Sequence, residues 1–394
     1  MWDGMINGML TGVTTTFIPI NILMVLFGCF MGSLIGMMPG LGPITAVALM
    51  IPVTYGLDPA TGMVLLAGVY YGAIFGGSTA SILINAPGEA ATVATAIDGY
   101  PLARQGYPGK ALAIAAYSSF SGGTISVIFL MFFAPMLASV ATSFQSADYF
   151  ALMILGLTAV SAFAGRGGVL KALMMVVLGL MLATVGTDQT SGVQRFTFGS
   201  LELLDGIEFL LLAMATFALT EALSLVLRRD ESSDSLKPKT IGLKSLKVTK
   251  KEFKLIAPSI ARSSVLGFLI GVLPGAGATL GSFMSYGMER NLAPPEEQAK
   301  FGKGSLRGLA APETGNNAAS SGSFVPLLCL GIPGSGTTAV MLGALIAYGI
   351  EPGPRMFTES PEVFWGVIMS MYLGNVFLLI LNLPLIPYFA RLLA

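Results

Sequence analysis

The chain has 394 residues, of which 54% are hydrophobic and only 11% charged, with a formal net charge of zero and a mean hydropathy of +0.78. A soluble domain carries about 25% charged residues, so most of this surface must face lipid, which excludes a string of soluble domains and leaves no basic excess for a nucleic-acid partner. Histidine is absent, which removes histidine metal sites, Ser-His and Cys-His catalysis and histidine proton relays together.

The N-terminus lacks a basic n-region and an A-x-A-like site and is not expected to be a cleaved signal. Apolar runs able to span, about 20 residues each, fall near 18–38, 44–56 with 59–84, 111–141, 148–165, 168–186, 206–227, 255–273, 318–348 and 362–390. Several are interrupted by glycine and proline. The expected fold is an all-α integral membrane bundle of roughly nine to eleven elements, some of them half-helices. Cys29 and Cys329 lie in apolar runs and read as small packing residues. The 49 glycines suit helices that approach closely or break beside a cavity. No Lys or Arg precedes Arg104, whereas nine of the 21 fall in 228–254. By the positive-inside rule that segment is a cytoplasmic loop, and the N-terminal segment, which has Asp3 and no basic residue, is expected to be periplasmic.

An internal repeat is the most specific feature. Residues 32–42 (GSLIGMMPGLG) and 267–277 (GFLIGVLPGAG) match at seven of eleven positions with an offset of 235. Asn85-Ala86-Pro87-Gly88 followed by Thr92 then aligns with Gly331-Ile332-Pro333-Gly334 followed by Thr338, at an offset of 246. Two motifs in the same order in both halves divide the chain into a first transmembrane repeat (1–227), a basic cytoplasmic linker (228–254) and a second repeat (255–394). The first repeat begins near a periplasmic terminus and the second near a cytoplasmic loop, so the two are expected to be inverted. The second half is the shorter one, so a C-terminal portion, or spans from another subunit, is expected to complete it.

Proline stops a helix by lacking an N–H and clashing with the preceding turn, and glycine beside it accepts the turn. A helix restarting after such a break offers unpaired N–H groups at its positive end, which suits a carboxylate. Four breaks qualify: Pro39-Gly40 with Gly42, Pro87-Gly88, Pro274-Gly275 with Gly277, and Pro333-Gly334 with Ser335. Polar residues surround them. Ser78 and Thr79 precede the second break; Glu313, Asn316 and Asn317 precede the fourth, with Ser320 and Ser321 one turn further on. Asn316 or Asn317 is expected to cap the following helix. These residues, with Asn85, Thr92 and Thr338, form the expected substrate site, although capping and interhelical hydrogen bonds would use the same residue types. Glu89, Asp98 and Glu313 are the candidate carboxylates for a coupling Na⁺ or H⁺; Asp98, beside Gly99-Tyr100-Pro101, reads as a loop residue.

Pro39-Gly40-Leu41-Gly42, Asn85-Ala86-Pro87-Gly88, Ala311-Pro312-Glu313 with Asn316-Asn317-Ala318, and Leu330-Gly331-Ile332-Pro333-Gly334 together resemble the large membrane subunit of the tripartite tricarboxylate transporters, the TctA family. The resemblance runs over essentially the whole chain. Members of that family are longer at the C-terminus, in keeping with the incomplete second repeat. The resemblance implies a bacterial inner-membrane importer of small organic anions, citrate-like or related. It also implies a periplasmic solute-binding protein and a small membrane subunit of about four spans as partners, with an ion gradient as the driving force; a homodimer is a further possibility. No resident cofactor or metal is expected, and no G-x-x-x-x-G-K-[ST] phosphate loop is present: Arg104 stands where its first glycine would be. A channel-like anion pathway is the main alternative, since broken helices also build pores. A histidine-free membrane enzyme is less favoured, because a serine nucleophile would need a lysine base and every lysine lies outside the polar clusters.

Overall fold

A computed structural model describes residues 2–38, 40–141, 169–187, 193–204 and 243–392, with scattered positions between 143 and 223. Pro39, residues 228–242 of the basic segment 228–254 and most of the expected spans at 148–165 and 206–227 lie outside the described residues. The protein is an all-α polytopic membrane protein. Its helices are α1 (Trp2–Thr16), α2 (Pro19–Gly36), α3 (Pro43–Thr54), α4 (Pro59–Ile84), α5 (Thr92–Arg104), α6 (Pro108–Ala141), α7 (Val169–Ala183), α8 (Lys250–Val272), α9 (Gly277–Leu292), α10 (Leu306–Gly322), α11 (Phe324–Leu330), α12 (Gly336–Ala347) and α13 (Pro361–Leu392), with two single-turn helices between. Among the described residues, five are long and apolar enough to cross a membrane: α2, α4, α6, α8 and α13. α4 is the central one, its apolar window enclosed on every side by other helices.

The run expected at 318–348 is not one span. It comprises the end of α10, then α11 and α12, separated at Ser323 and at Gly331–Ser335. The Asn-Asn cluster lies inside α10 rather than at a helix start, because that helix begins earlier, at Leu306, where Ser305 accepts the Gly308 N–H. Pro312 is accommodated in its interior.

Small residues set the packing. On α2, Gly28, Gly32 and Gly36 are spaced four apart and face the α4 backbone at Leu65, Val69 and Ala73; Gly72 and Gly76 of α4 face back toward Cys29 and Ser33. Residues four apart share a helix face, so this is one continuous seam of backbone against backbone. The second half repeats it: Gly267 and Gly271 of α8 lie on the α10 backbone at Gly315 and Ala319. Cys29 and Cys329 are fully buried in the main core.

The contacts also fix helix direction. Thr61 at the start of α4 donates to Asn21 at the start of α2 (2.6 Å), and Thr16 donates to the Gly366 carbonyl at the start of α13 (3.3 Å). These three starts share one end of the bundle. Lys110 at the start of α6 pairs with Glu252 at the start of α8 (2.6 Å), and Arg307 at the start of α10 donates to Leu255 O (3.0 Å). Those starts cluster with Ile82 and Leu83 in the last turn of α4, at the opposite end. α2 and α4 therefore run one way, and α8 and α10 the other.

Candidate functional site

The breaks of the two halves fold alike. Gly40 and Gly275 both take positive φ, 86° and 80°, and the turns there are closed by Leu41 N–H to Met38 O (3.0 Å) and Ala276 N–H to Leu273 O (3.2 Å). Asn85 and Gly331 both terminate a helix in the left-handed conformation. Thr92 donates to Glu89 O, and Thr338 to Ser335 O, each at 3.0 Å. All four pairs stand at the offsets that align the sequences. Asn85 itself is exposed.

Within each half the two breaks touch. Gly88 rests on Gly36 and Gly77, and Gly42 faces the Glu89 side chain. In the second half Gly275 N–H donates to Gly334 O (3.1 Å), so this amide is not bare as the sequence suggests. Linking the tips to each other satisfies one donor that a lone break would leave open. The first-turn N–H groups of α3 (Ile44, Thr45) and α9 (Ala278, Thr279) remain without intrahelical acceptors by helix geometry. Pro333 and Pro87 are partly buried at the tips, and Ser335 and Thr338 form a reciprocal capping box (2.8 and 3.2 Å) that starts α12.

The halves meet around Tyr70 and Tyr71 of α4. Tyr70 Oη lies 3.4 Å from Ser323 Oγ and 3.3 Å from Ser335 Oγ; Tyr71 Oη lies 2.5 Å from Ser321 Oγ. Asn316 and Asn317 are fully buried, and Asn317 Nδ2 donates to Glu313 O (2.9 Å) and Asn316 Oδ1 (2.6 Å). Neither amide caps a helix, contrary to the sequence expectation, because both sit mid-helix. Asn316 Nδ2, Asn317 Oδ1 and Glu89 Oε1 are buried and have no partner among the described residues. Orphaned buried polar atoms are uncommon in folded proteins, and each calls for a ligand, a water or an ion.

Glu313 is the chemical centre. It is fully buried on α10 and is held by three hydroxyls of the first half. Ser78 Oγ is 2.8 Å from both carboxylate oxygens, Ser119 Oγ donates at 2.7 Å, and Thr95 donates to Oε1. No Lys or Arg pairs with Glu313 or Glu89 among the described residues. The sequence points to Ser78 and Glu313 but not to Tyr70, Thr95 or Ser119. The only available signal is a hydroxyl inside an apolar helix, which also describes many ordinary packing residues.

Asp98 does not sit in a loop. It lies within α5, fully buried, and accepts from Tyr286 Oη (3.0 Å) and from the N–H groups of Gly304 (2.9 Å) and Ser305 (2.7 Å). These bonds saturate one oxygen with amides and tie α5 to α9 and α10, an anchoring arrangement. Nearby Glu289, also fully buried, receives Arg262 (2.7–3.2 Å) and Arg307 (3.3 Å). A larger open cavity of about 370 Å³ lies at the start of α8 beside Lys250 and Lys254, apart from the breaks.

Comparison with known proteins places this geometry in a lineage. No solved structure matches the chain significantly. A curated relative from Agrobacterium vitis, described as an uncharacterized 52.8 kDa protein in the TAR-I ttuC' 3' region, is 45% identical over 389 residues, which cover 99% of this chain and 76% of the relative. A second protein of that organism, uncharacterized and from the TAR-II ttuC' 3' region, is 51% identical over 127 residues, or 32% of this chain and 52% of the relative. The sequence model of the tripartite tricarboxylate transporter TctA family matches residues 22–394, nearly the entire length. With its membrane helices and paired helix breaks, the chain belongs to the TctA family of tripartite tricarboxylate transporters.

Proposed function

We propose that this chain is the permease subunit of a binding-protein-dependent importer of small carboxylates in a bacterial inner membrane, driven by a Na⁺ or H⁺ gradient and working with a small membrane subunit and a periplasmic solute-binding protein. The observation that carries the reading is the meeting of two equivalent pairs of helix breaks at the contact between oppositely running halves. That arrangement supports an inverted repeat with a binding site between its halves. The substrate's carboxylates sit against the free first-turn N–H groups of α3 and α9, where the helix dipoles favour negative charge. Asn316 Nδ2, a buried donor without a partner among the described residues, supplies an orienting hydrogen bond.

The fully buried Glu313 and the partly buried Glu89, whose Oε1 is enclosed, have no basic partner among the described residues, which supports cation coupling. Bringing an organic anion near them is costly unless a proton or metal cation arrives as well. Movement of one half against the other then carries anion and cation across. Asp98, saturated by an anchoring set of donors, is the weakest of the three coupling candidates.

Replacing Asn316 with alanine in the complete system tests the site. Asn316→Ala is expected to lower the uptake rate of labelled carboxylate about tenfold, the loss that follows when a binding group leaves one hydrogen bond unmade, while the amount of protein in the membrane is unchanged. Uptake equal to that of the parent would remove Asn316 from the site.

A further inference from the structure

We propose that the cavity beside Glu313 is a binding site for a small monovalent cation, with Na⁺ the ion that fits. The inference rests on the carrier reading above and gives its coupling ion a location. The cavity has a volume of about 10 Å³, room on the order of one water molecule or a dehydrated ion. Its polar lining consists of Glu313, Ser78, Ser119, Thr79 and Asn382. Thr79 and Asn382 are 4% and 5% exposed. Among the described residues the Thr79 hydroxyl has no hydrogen-bond partner, and Asn382 uses only its Nδ2, which donates to Leu378 O (2.9 Å). Two buried residues that line the space beside a buried carboxylate thus each keep a side-chain oxygen without a described partner.

The donor set selects the class of ligand. Every group free to coordinate is an oxygen, which suits a hard cation and not a soft or imidazole-seeking one. The formal charge of the cavity is a single carboxylate, and among the described residues no three Asp, Glu, Cys or His side chains converge, so a divalent ion would be under-compensated. The three hydroxyls now on Glu313 keep oxygen lone pairs and can rotate to place them on an ion. A proton alone would neutralise the carboxylate but would leave Thr79 and Asn382 unused. The ligands come from α4, α6, α10 and α13, that is, from both halves, so an ion here holds together the elements that must move relative to one another.

Purified full-length chain in detergent, titrated with NaCl against choline chloride at fixed ionic strength and pH, tests this directly. The readout is the thermal unfolding midpoint followed by tryptophan fluorescence. Na⁺ is expected to raise the midpoint saturably, K⁺ less so and choline not at all. Thr79→Val, which removes a hydroxyl without a described partner, is expected to keep the choline midpoint and weaken the apparent Na⁺ affinity about tenfold; Glu313→Gln is expected to abolish the Na⁺ response. If Glu313→Gln does not fold, Thr79→Val decides alone. The site is overturned if Na⁺ gives no saturable response, or if Thr79→Val responds like the parent. Organic-anion uptake that runs on a proton gradient and ignores Na⁺ also overturns the site but leaves the carrier reading intact. A Na⁺ response with these mutant effects in a system that takes up no organic anion supports the site and retires the carrier reading.

Discussion

Gly32→Leu is expected to yield no folded protein, whereas Gly287→Leu, on another helix, is expected to yield normal amounts. The difference lies in what each new side chain meets. A Cβ at Gly32 would lie 2.8 Å from Val69 Cα and closer still to the Val69 carbonyl, whereas one at Gly287 has nothing within 4 Å. Overpacking a core by rotamer adjustment costs about 1–3 kcal/mol. Here the obstacle is backbone, which cannot rotate away, so α2 and α4 must separate along a seam that also includes Gly28, Gly36, Gly72 and Gly76. In lipid, helix association depends on such close packing because tails and side chains are equally apolar. Fluorescence-detected size exclusion of both variants checks the claim; a monodisperse Gly32→Leu peak at the parent's height would refute the seam.

Glu289→Gln is the second large effect, an expected loss of about 2–4 kcal/mol seen as a lower thermal unfolding midpoint. Removing one partner from a buried ion pair costs about 3–5 kcal/mol because the remaining charge is stranded. The Glu289 side chain is fully buried, while Arg262 is 36% and Arg307 11% exposed. Solvent at Arg262 recovers part of the loss, which brings the figure below the buried limit. Arg307 has less access to water and also holds Leu255 O at 3.0 Å, so Arg307→Gln should be more damaging than Arg262→Gln. The exposed pair Arg355–Glu351 is the control: Glu351→Gln should change stability by no more than about 0.5 kcal/mol. A Glu289→Gln midpoint equal to that of the control would show that the cluster is not holding α8, α9 and α10 together.

The breaks are legible in the sequence because Pro and Gly act locally. Pro-Gly dictates where a helix stops, so Gly40 with Gly275, and Asn85 with Gly331, align by residue order alone, and each pair shares a backbone conformation in the fold. The membrane class is legible from composition alone. What cannot be read is anything decided by tertiary packing. Asn316 or Asn317 reads as the cap of a following helix, yet Ser305 already caps a helix that runs on through Pro312, which places both amides in its interior. Asp98 reads as a loop residue beside Gly99 and Pro101, yet α5 continues through both, and its partners come from about 190 residues or more along the chain. Thr95 and Ser119 carry no motif and join the site only because α5 and α6 fold against Glu313. Hydroxyls in apolar helices become informative only when their neighbours are known.

The protein is proposed to carry small carboxylates by a gradient-driven, binding-protein-dependent route. Uptake of labelled citrate and a panel of di- and aromatic carboxylates, in cells expressing the complete system with and without the periplasmic binding protein, tests it most directly. Each run is repeated after collapse of the Na⁺ or the proton gradient. Uptake is predicted to saturate, to require the binding protein and to fail when one of the two gradients is lost. Flux that ignores the binding protein and rises in proportion to concentration would contradict the account and point to a channel-like pathway.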